Sequence, residues 1–129
     1  MNRLAILEND IIYTEELQNI LNTKELEIIT LPVNDESINI VKQKQIDILI
    51  LGGTEDTLAD LFRISAELKH FYDGKLPVII TAPLTKYCGY NFDPVDDGNY
   101  KPVDELLDKY ANKNHIVSII NSLLNCKPE

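Results

Sequence analysis

Tryptophan is absent from this chain of 129 residues, and cysteine occurs twice. Cys88 and Cys126 stand far apart and lack metal-ligand spacing, which argues against a zinc site and for free thiols in a reducing cytoplasm. Positive charge is scarce: 12 basic residues face 21 acidic ones, for a formal net charge of −9. Phosphate backbones demand Lys and Arg, so direct nucleic-acid binding is not expected. No apolar run approaches the roughly 18 residues of a membrane span. The opening Met1-Asn2-Arg3 leads into an apolar stretch that Glu8 breaks too soon for a signal peptide. Membrane association is therefore not expected, and a cytoplasmic location is. His70 and His115 are isolated and read as surface residues. No Ser-His-Asp, Cys-His or paired-carboxylate arrangement puts a nucleophile beside its base, so enzymatic activity is not expected. Repeats, low-complexity tracts and linkers are also missing, which leaves a single domain over 1–129.

What the chain does have is a succession of short apolar runs. Ile46-Asp47-Ile48-Leu49-Ile50-Leu51 shows almost no alternation and ends on Gly52-Gly53, the pattern of a strand buried on both faces at the centre of a parallel sheet. Leu4-Ala5-Ile6-Leu7 reads as a first strand closed by Glu8-Asn9-Asp10. A helix follows from about Tyr13 to Asn22, with Leu17, Ile20 and Leu21 at helical spacing. Glu27 to Leu31 is a second strand. Asp35 or Ser37 caps a second helix that runs to about Lys44. Thr54 to Thr57 offers cap oxygens to a third helix carrying Leu58, Leu61, Phe62, Ser65 and Leu68 on one face, and Asp73-Gly74 ends it. Leu76 to Thr81, begun by Pro77, is a fourth strand. The βα alternation with short connections implies a parallel sheet with helices on both faces. Pattern weakens from Pro83 to Tyr100, where residues 84–90 read as a brief helix or a loop. A fifth strand before Lys101-Pro102 would have to use Asn99-Tyr100. A last helix is expected from Val103, with Leu106, Leu107, Tyr110, Val117, Ile120 and Leu124 on one stripe and a break possible at Asn112-Lys113-Asn114.

The alternation, the acidic cluster after the first strand and the Lys101-Pro102 pair together resemble the receiver domain of bacterial response regulators, over essentially the whole chain. The resemblance implies a CheY-like, flavodoxin-like (βα)5 three-layer sandwich with parallel strand order 2-1-3-4-5, an irregular fourth helix and a weak fifth strand. Receivers that work by phosphorylation carry an aspartate at the end of the third strand. They hold Mg²⁺ with acids after the first, place a Thr or Ser after the fourth, and place a Lys before a proline after the fifth. Phosphoryl transfer needs those parts: a nucleophile, a divalent cation and a positive clamp.

Here the phosphoacceptor position falls on Gly52, which has no side chain. The acidic pair becomes Glu8-Asn9, with Asp10 one residue late; an Asn brings no charge to a metal that favours carboxylates, so no cofactor is expected and Mg²⁺ is disfavoured. The switch hydroxyl falls on Thr81 or, in the other register, on Ala82. The resemblance makes Lys101 the clamp and the Lys101-Pro102 bond a candidate cis peptide. The degenerate pocket is thus Glu8, Asn9, Asp10, Gly52, Gly53, Thr54, Thr81, Ala82 and Lys101. Structural readings stand beside the functional ones. Glu8 and Asp10 read as solvated helix caps, Lys101 as a salt-bridge partner of Glu8, and Thr81 as a hydroxyl satisfied by backbone. Glu55 and Asp56 suit a helix start but are also possible surrogate phosphoacceptors. The amides of Gly52-Gly53-Thr54 could receive an anion.

The expected function is a pseudo-receiver in two-component signalling that acts by protein contact or dimerisation without a phosphorylation cycle. It could head a larger transcriptional regulator, with DNA contact left to another domain. The resemblance places the contact surface on the fourth helix, fifth strand and fifth helix, here residues 83–110, where Tyr87, Tyr90, Phe92, Tyr100 and Tyr110 crowd. Two alternatives remain: a small-molecule or anion sensor using the vacated pocket, and a conventional phosphoacceptor working through Asp56.

Overall fold

The computed structural model describes residues 2–22, 25–83, 103–109 and 114–125. Strand β1 spans Asn2–Leu7, helix α1 Ile11–Leu21, β2 Leu26–Leu31, α2 Asp35–Lys44 and β3 Ile48–Gly52. A 3₁₀ turn over Glu55–Thr57 leads into α3, Leu58–Phe71, followed by β4, Val78–Ala82. Beyond the undescribed stretch come β5, Glu105–Asp108, and α4, Asn114–Asn125. The five strands form one parallel sheet in the order β2-β1-β3-β4-β5. That is the expected order. No helix among the described residues is long and apolar enough to cross a membrane.

Strand parity explains why the central strands lack polar alternation. Ala5, Leu7, Leu49, Leu51, Val78 and Ile80 join Ile38 and Val41 of α2 and Leu61, Ile64 and Leu68 of α3 in one buried cluster. Leu4, Ile6, Ile48, Ile50 and Ile79 point the other way, onto Tyr13, Leu17 and Leu21 of α1 and Ile116 and Ile120 of α4. Both faces of β1, β3 and β4 are covered, so every position in their centres is apolar. All five residues of β3 are buried.

Local chemistry sets the helix starts. Asp10 caps α1, its carboxylate accepting from the amides of Ile12 and Tyr13 at 3.1 and 3.2 Å. Asn34, one residue before the expected caps, holds the start of α2 through the Ser37 amide at 2.8 Å. At the far end of α3 the turn needs left-handed backbone, with Asp73 at φ 57° and Gly74 at φ 75°.

The C-terminal third departs from expectation. Residues 105–108 are a strand, not the first turn of the last helix, and the fifth strand is not formed by Asn99-Tyr100, which lie outside the described residues. The adjacent leucines show why. Leu106 packs against the α2/α3 cluster and Leu107 against the α1/α4 cluster. Neighbours that serve opposite faces have the strand period of two, whereas their spacing to later apolar residues mimics a helix. The segment is anchored before it begins: Val103 is fully buried, and the Asp104 amide donates to Val78 O at 2.9 Å. The expected irregular fourth helix falls within 84–102, outside the described residues, as does Pro102.

Candidate functional site

Parallel strands bring their carboxyl ends to one edge, and the third and fourth end in register, Gly52 opposite Thr81. Glu8 follows β1 directly. Its amide donates to Leu31 O of β2 at 3.0 Å, which turns the side chain inward. That side chain is only 3% exposed. Oε1 accepts from the Asp10 amide at 3.0 Å, and Oε2 lies 3.1 Å from Nζ of Lys109, the residue that follows β5. Lys109 Nζ also donates to Gly53 O at 2.9 Å and sits 4.9 Å from the centre of the Tyr13 ring. A cation over an aromatic face gains from the ring quadrupole, most of all where water is excluded. The Glu8–Lys109 approach is ionic and outside hydrogen-bond geometry, so among the described residues buried Oε2 of Glu8 has no hydrogen-bond partner. Thr81 Oγ1 likewise has no partner of full hydrogen-bond geometry among the described residues, although it interacts with the Tyr13 hydroxyl. Burial pushes the Tyr13 phenol above its ordinary value; Thr81 opposes the rise, while Glu8, Glu16 and Asp108 add to it.

Gly52 makes this packing possible. A Cβ at that position would fall 1.8 Å from Glu8 Oε2, 2.7 Å from Glu8 Cδ and 3.1 Å from Thr81 Oγ1. Atoms cannot approach so closely. The Glu8 carboxylate therefore occupies the place that a side chain on residue 52 would take. A Cβ on Gly53 would meet Thr57 Oγ1 at 2.4 Å and Leu61 Cδ1 at 2.8 Å, so this glycine admits the 3₁₀ turn and α3 against the strand end.

The predicted pocket residues divide accordingly. Glu8, Gly52, Gly53 and Thr81 converge. Glu8 is buried rather than solvated, because the missing side chain at 52 leaves it room. Among the described residues its ionic partner is Lys109; Lys101, the expected partner, lies outside them. Thr81 is not satisfied by backbone. Ala82 points to the opposite face, into the α2/α3 cluster, which leaves Thr81 as the hydroxyl on the Gly52 side. Asn9 Oδ1 accepts from the Val33 amide at 2.9 Å and ties down the β2–α2 connection. Thr54 is exposed, and its amide donates to Thr57 Oγ1 at 2.9 Å. The Gly53 amide is likewise taken, by Thr81 O at 3.0 Å, so two of the three amides proposed to receive an anion already have acceptors. Asp56 is exposed on the 3₁₀ turn. Tyr87, Tyr90, Phe92, Tyr100 and Tyr110 lie outside the described residues.

The donor set does not fit a hard divalent cation. Glu8 is claimed by Lys109, Asn9 by Val33 and Asp10 by the first turn of α1. A metal there would have to break contacts that the fold uses. An open groove of about 460 Å³ borders Glu8 and Asn9, but it runs along Ile11, Thr14, Gln18 and Pro32, away from Gly52 and Thr81.

Sequence reasoning missed two members of the site. Lys109 was hidden inside a supposed helix; its signal is a lysine closing the apolar pair Leu106-Leu107. Tyr13 was taken only as the start of a helix, yet its spacing of four to Leu17 puts it on the buried stripe.

A five-stranded parallel sheet in this order, with a polar cluster where its carboxyl edge meets β5, defines the flavodoxin-like class and, within it, the fold of response-regulator receiver domains. No family model matches the sequence, and no curated protein matches it. Solved structures do. The chain is similar to a two-component response regulator from Clostridium difficile, with TM-score 0.72 and 14% identity over 100% of both chains. It is similar to a LuxR-family DNA-binding response regulator from Staphylococcus aureus, with TM-score 0.68 and 21% identity over 97% of this chain and 100% of that one. A receiver-modulated diguanylate cyclase from Pelobacter carbinolicus gives TM-score 0.68 and 20% identity over 98% and 95%. At these identities the likeness is one of fold.

Proposed function

We propose that this chain is a receiver-like module of two-component-type signalling that acts through protein–protein contact, without a phosphorylation cycle. One observation carries the reading: the station of the phosphoacceptor has no nucleophile, and the Glu8 carboxylate fills the space one would need. A carboxylate already paired with Lys109 is a poor attacking group, and no cluster of acids suited to hold the Mg²⁺ that phosphoryl transfer requires is present among the described residues. The fold supports a signalling role by likeness to proteins named as response regulators, one of them a DNA-binding one. By the same analogy this chain would regulate transcription through an attached or partner domain, since its charge of −9 suits it poorly to DNA. The aromatic residues of 83–110 are the proposed surface for a partner or a second copy.

Incubation with acetyl phosphate and Mg²⁺ followed by intact-mass measurement tests the reading. No acid-labile phosphoryl group is expected. A single added group that maps to Asp56 would instead establish the surrogate acceptor. The sensor alternative requires a ligand to displace Glu8, and a screen of nucleotides and metabolites by thermal shift is expected to find none that raises the melting temperature.

A further inference from the structure

We infer that Glu8 is a resident counter-ion which has taken over, from β1, the station of a carboxylate on β3, and that it fixes the carboxyl edge of the sheet in one state. The inference deepens the proposed function and rests on it for its regulatory meaning. Three observations lead to it. The first is the overlap: a Cβ on Gly52 and the Oε2 of Glu8 compete for one place, 1.8 Å apart. With the Glu8 side chain in this position residue 52 has no room for one, and a Cβ there requires the end of the Glu8 side chain to move. The second is stoichiometry. Among the described residues Lys109 is the cation in contact with Glu8, and the two side chains are 6% and 3% exposed. A second carboxylate in that space would set two like charges against one lysine where water cannot screen them. The third is reach. Lys109 Nζ also donates to Gly53 O, so the end of β5 is tied to the segment leading into α3. An anion that positions Lys109 thereby positions the β3–α3 connection.

In this chain that anion is intramolecular and always present. The arrangement of Lys109, Gly53 and Thr81 is set without a covalently added group. A ligand shifts it only by displacing Glu8, because a ligand with no preference between two states shifts neither.

A double-mutant cycle on the full chain tests the exchange. Glu8→Ala leaves Lys109 unpaired and lowers the melting temperature by about 10 °C or more. Gly52→Asp lowers it in the native background, where Glu8 already fills the space. In the Glu8→Ala background the same Gly52→Asp change raises it, since the new carboxylate meets Lys109 and the Thr81 hydroxyl. An equal shift in both backgrounds overturns the inference. Gly52→Ala supplies a milder probe should the first variants fail to fold, because its methyl group alone must expel the Glu8 carboxylate. Lys109 is then acetylated by acetic anhydride at least about tenfold faster than in the native chain, where buried Lys109 lags far behind exposed Lys75. Equal rates for Lys109 in the two proteins overturn it as well. Failure here is distinct from failure of the proposed function: an additive cycle removes the assignment of Glu8, while phosphoryl uptake in the mass test removes the phosphorylation-independent reading.

Discussion

The two ends of β5 are each held by a buried lysine, and they are built to different standards. At the amino end, Lys69 of α3 donates to Leu76 O at 2.9 Å and to Asp104 Oδ2 at 2.7 Å, and the same oxygen of Asp104 accepts from the Val78 amide at 2.7 Å. Each of these polar groups has a partner. At the carboxyl end, Lys109 faces Glu8, but among the described residues Glu8 Oε2 and Thr81 Oγ1 have no partner of full hydrogen-bond geometry. The pairs also differ in burial: Asp104 keeps 26% of its side chain exposed, Glu8 only 3%. A complete network rigidifies a core, whereas a partly satisfied one carries the desolvation cost of its orphaned atoms. The amino edge thus reads as structure alone. The carboxyl edge is the incompletely satisfied one.

Breaking each pair from its lysine gives the largest expected contrast. Lys109→Ala strands the Glu8 carboxylate in the interior and costs about 3–5 kcal/mol. Lys69→Ala leaves Asp104 with the Val78 amide and some access to water, so the cost falls to about 1–3 kcal/mol. Urea unfolding of the two variants measures both. Equal losses, or a larger loss at Lys69, would erase the distinction between the two ends.

Much of this contrast was invisible in the sequence for a physical reason. The first, third and fourth strands could be read because each centres on a continuous apolar run, and such runs arise when both faces of a strand are covered; the second, at the sheet edge, was legible from its β-branched residues. Three of the four helix positions followed from caps and apolar spacing. The fifth strand is four residues long, and its two leucines serve opposite faces, so the local pattern fitted a helix equally well. Lys101-Pro102 then drew attention away from Lys109, which closes that strand. Glu8 posed a different problem. A glutamate after a strand ordinarily reaches water, and its burial depends on a missing side chain 44 residues away. Only the register of β1 on β3, Leu7 beside Leu51, brings that vacancy next to it. The emptiness of position 52 was legible, but what fills it was not.

The orphaned hydroxyl sharpens the comparison with a smaller effect. Thr81→Val replaces a buried hydroxyl, whose interaction with the Tyr13 phenol falls short of full hydrogen-bond geometry, by a methyl group of similar size. Removing an unsatisfied polar group is neutral or stabilising, by up to about 1 kcal/mol, whereas most buried substitutions destabilise. A thermal melt decides it. A loss of about 1 kcal/mol or more would show that Thr81 has a partner in solution, and the carboxyl edge would then be as complete as the amino edge.

Tyr13 supplies the smallest effect, confined to alkaline pH. Burial raises its phenol above the ordinary value, with Glu8, Glu16 and Asp108 adding to the rise and Thr81 opposing it. The neutral phenol is therefore favoured in the folded chain. Below about pH 9 the phenol is protonated in both folded and unfolded states and contributes no slope. As pH rises through about 10, the unfolded chain loses the proton first, and the stability tied to this group declines until the folded phenol ionises too. Every other ionisable group is common to the native chain and a Tyr13→Phe variant, so the informative quantity is a difference. Tyr13→Phe keeps the aromatic face under Lys109 and changes stability at neutral pH by roughly 0.5 kcal/mol or less. Its melting temperature should then fall less steeply than that of the native chain between about pH 9 and 11. Parallel slopes would mean that the Tyr13 hydroxyl already reaches water, and that the carboxyl edge is more open than its two unpartnered oxygens imply.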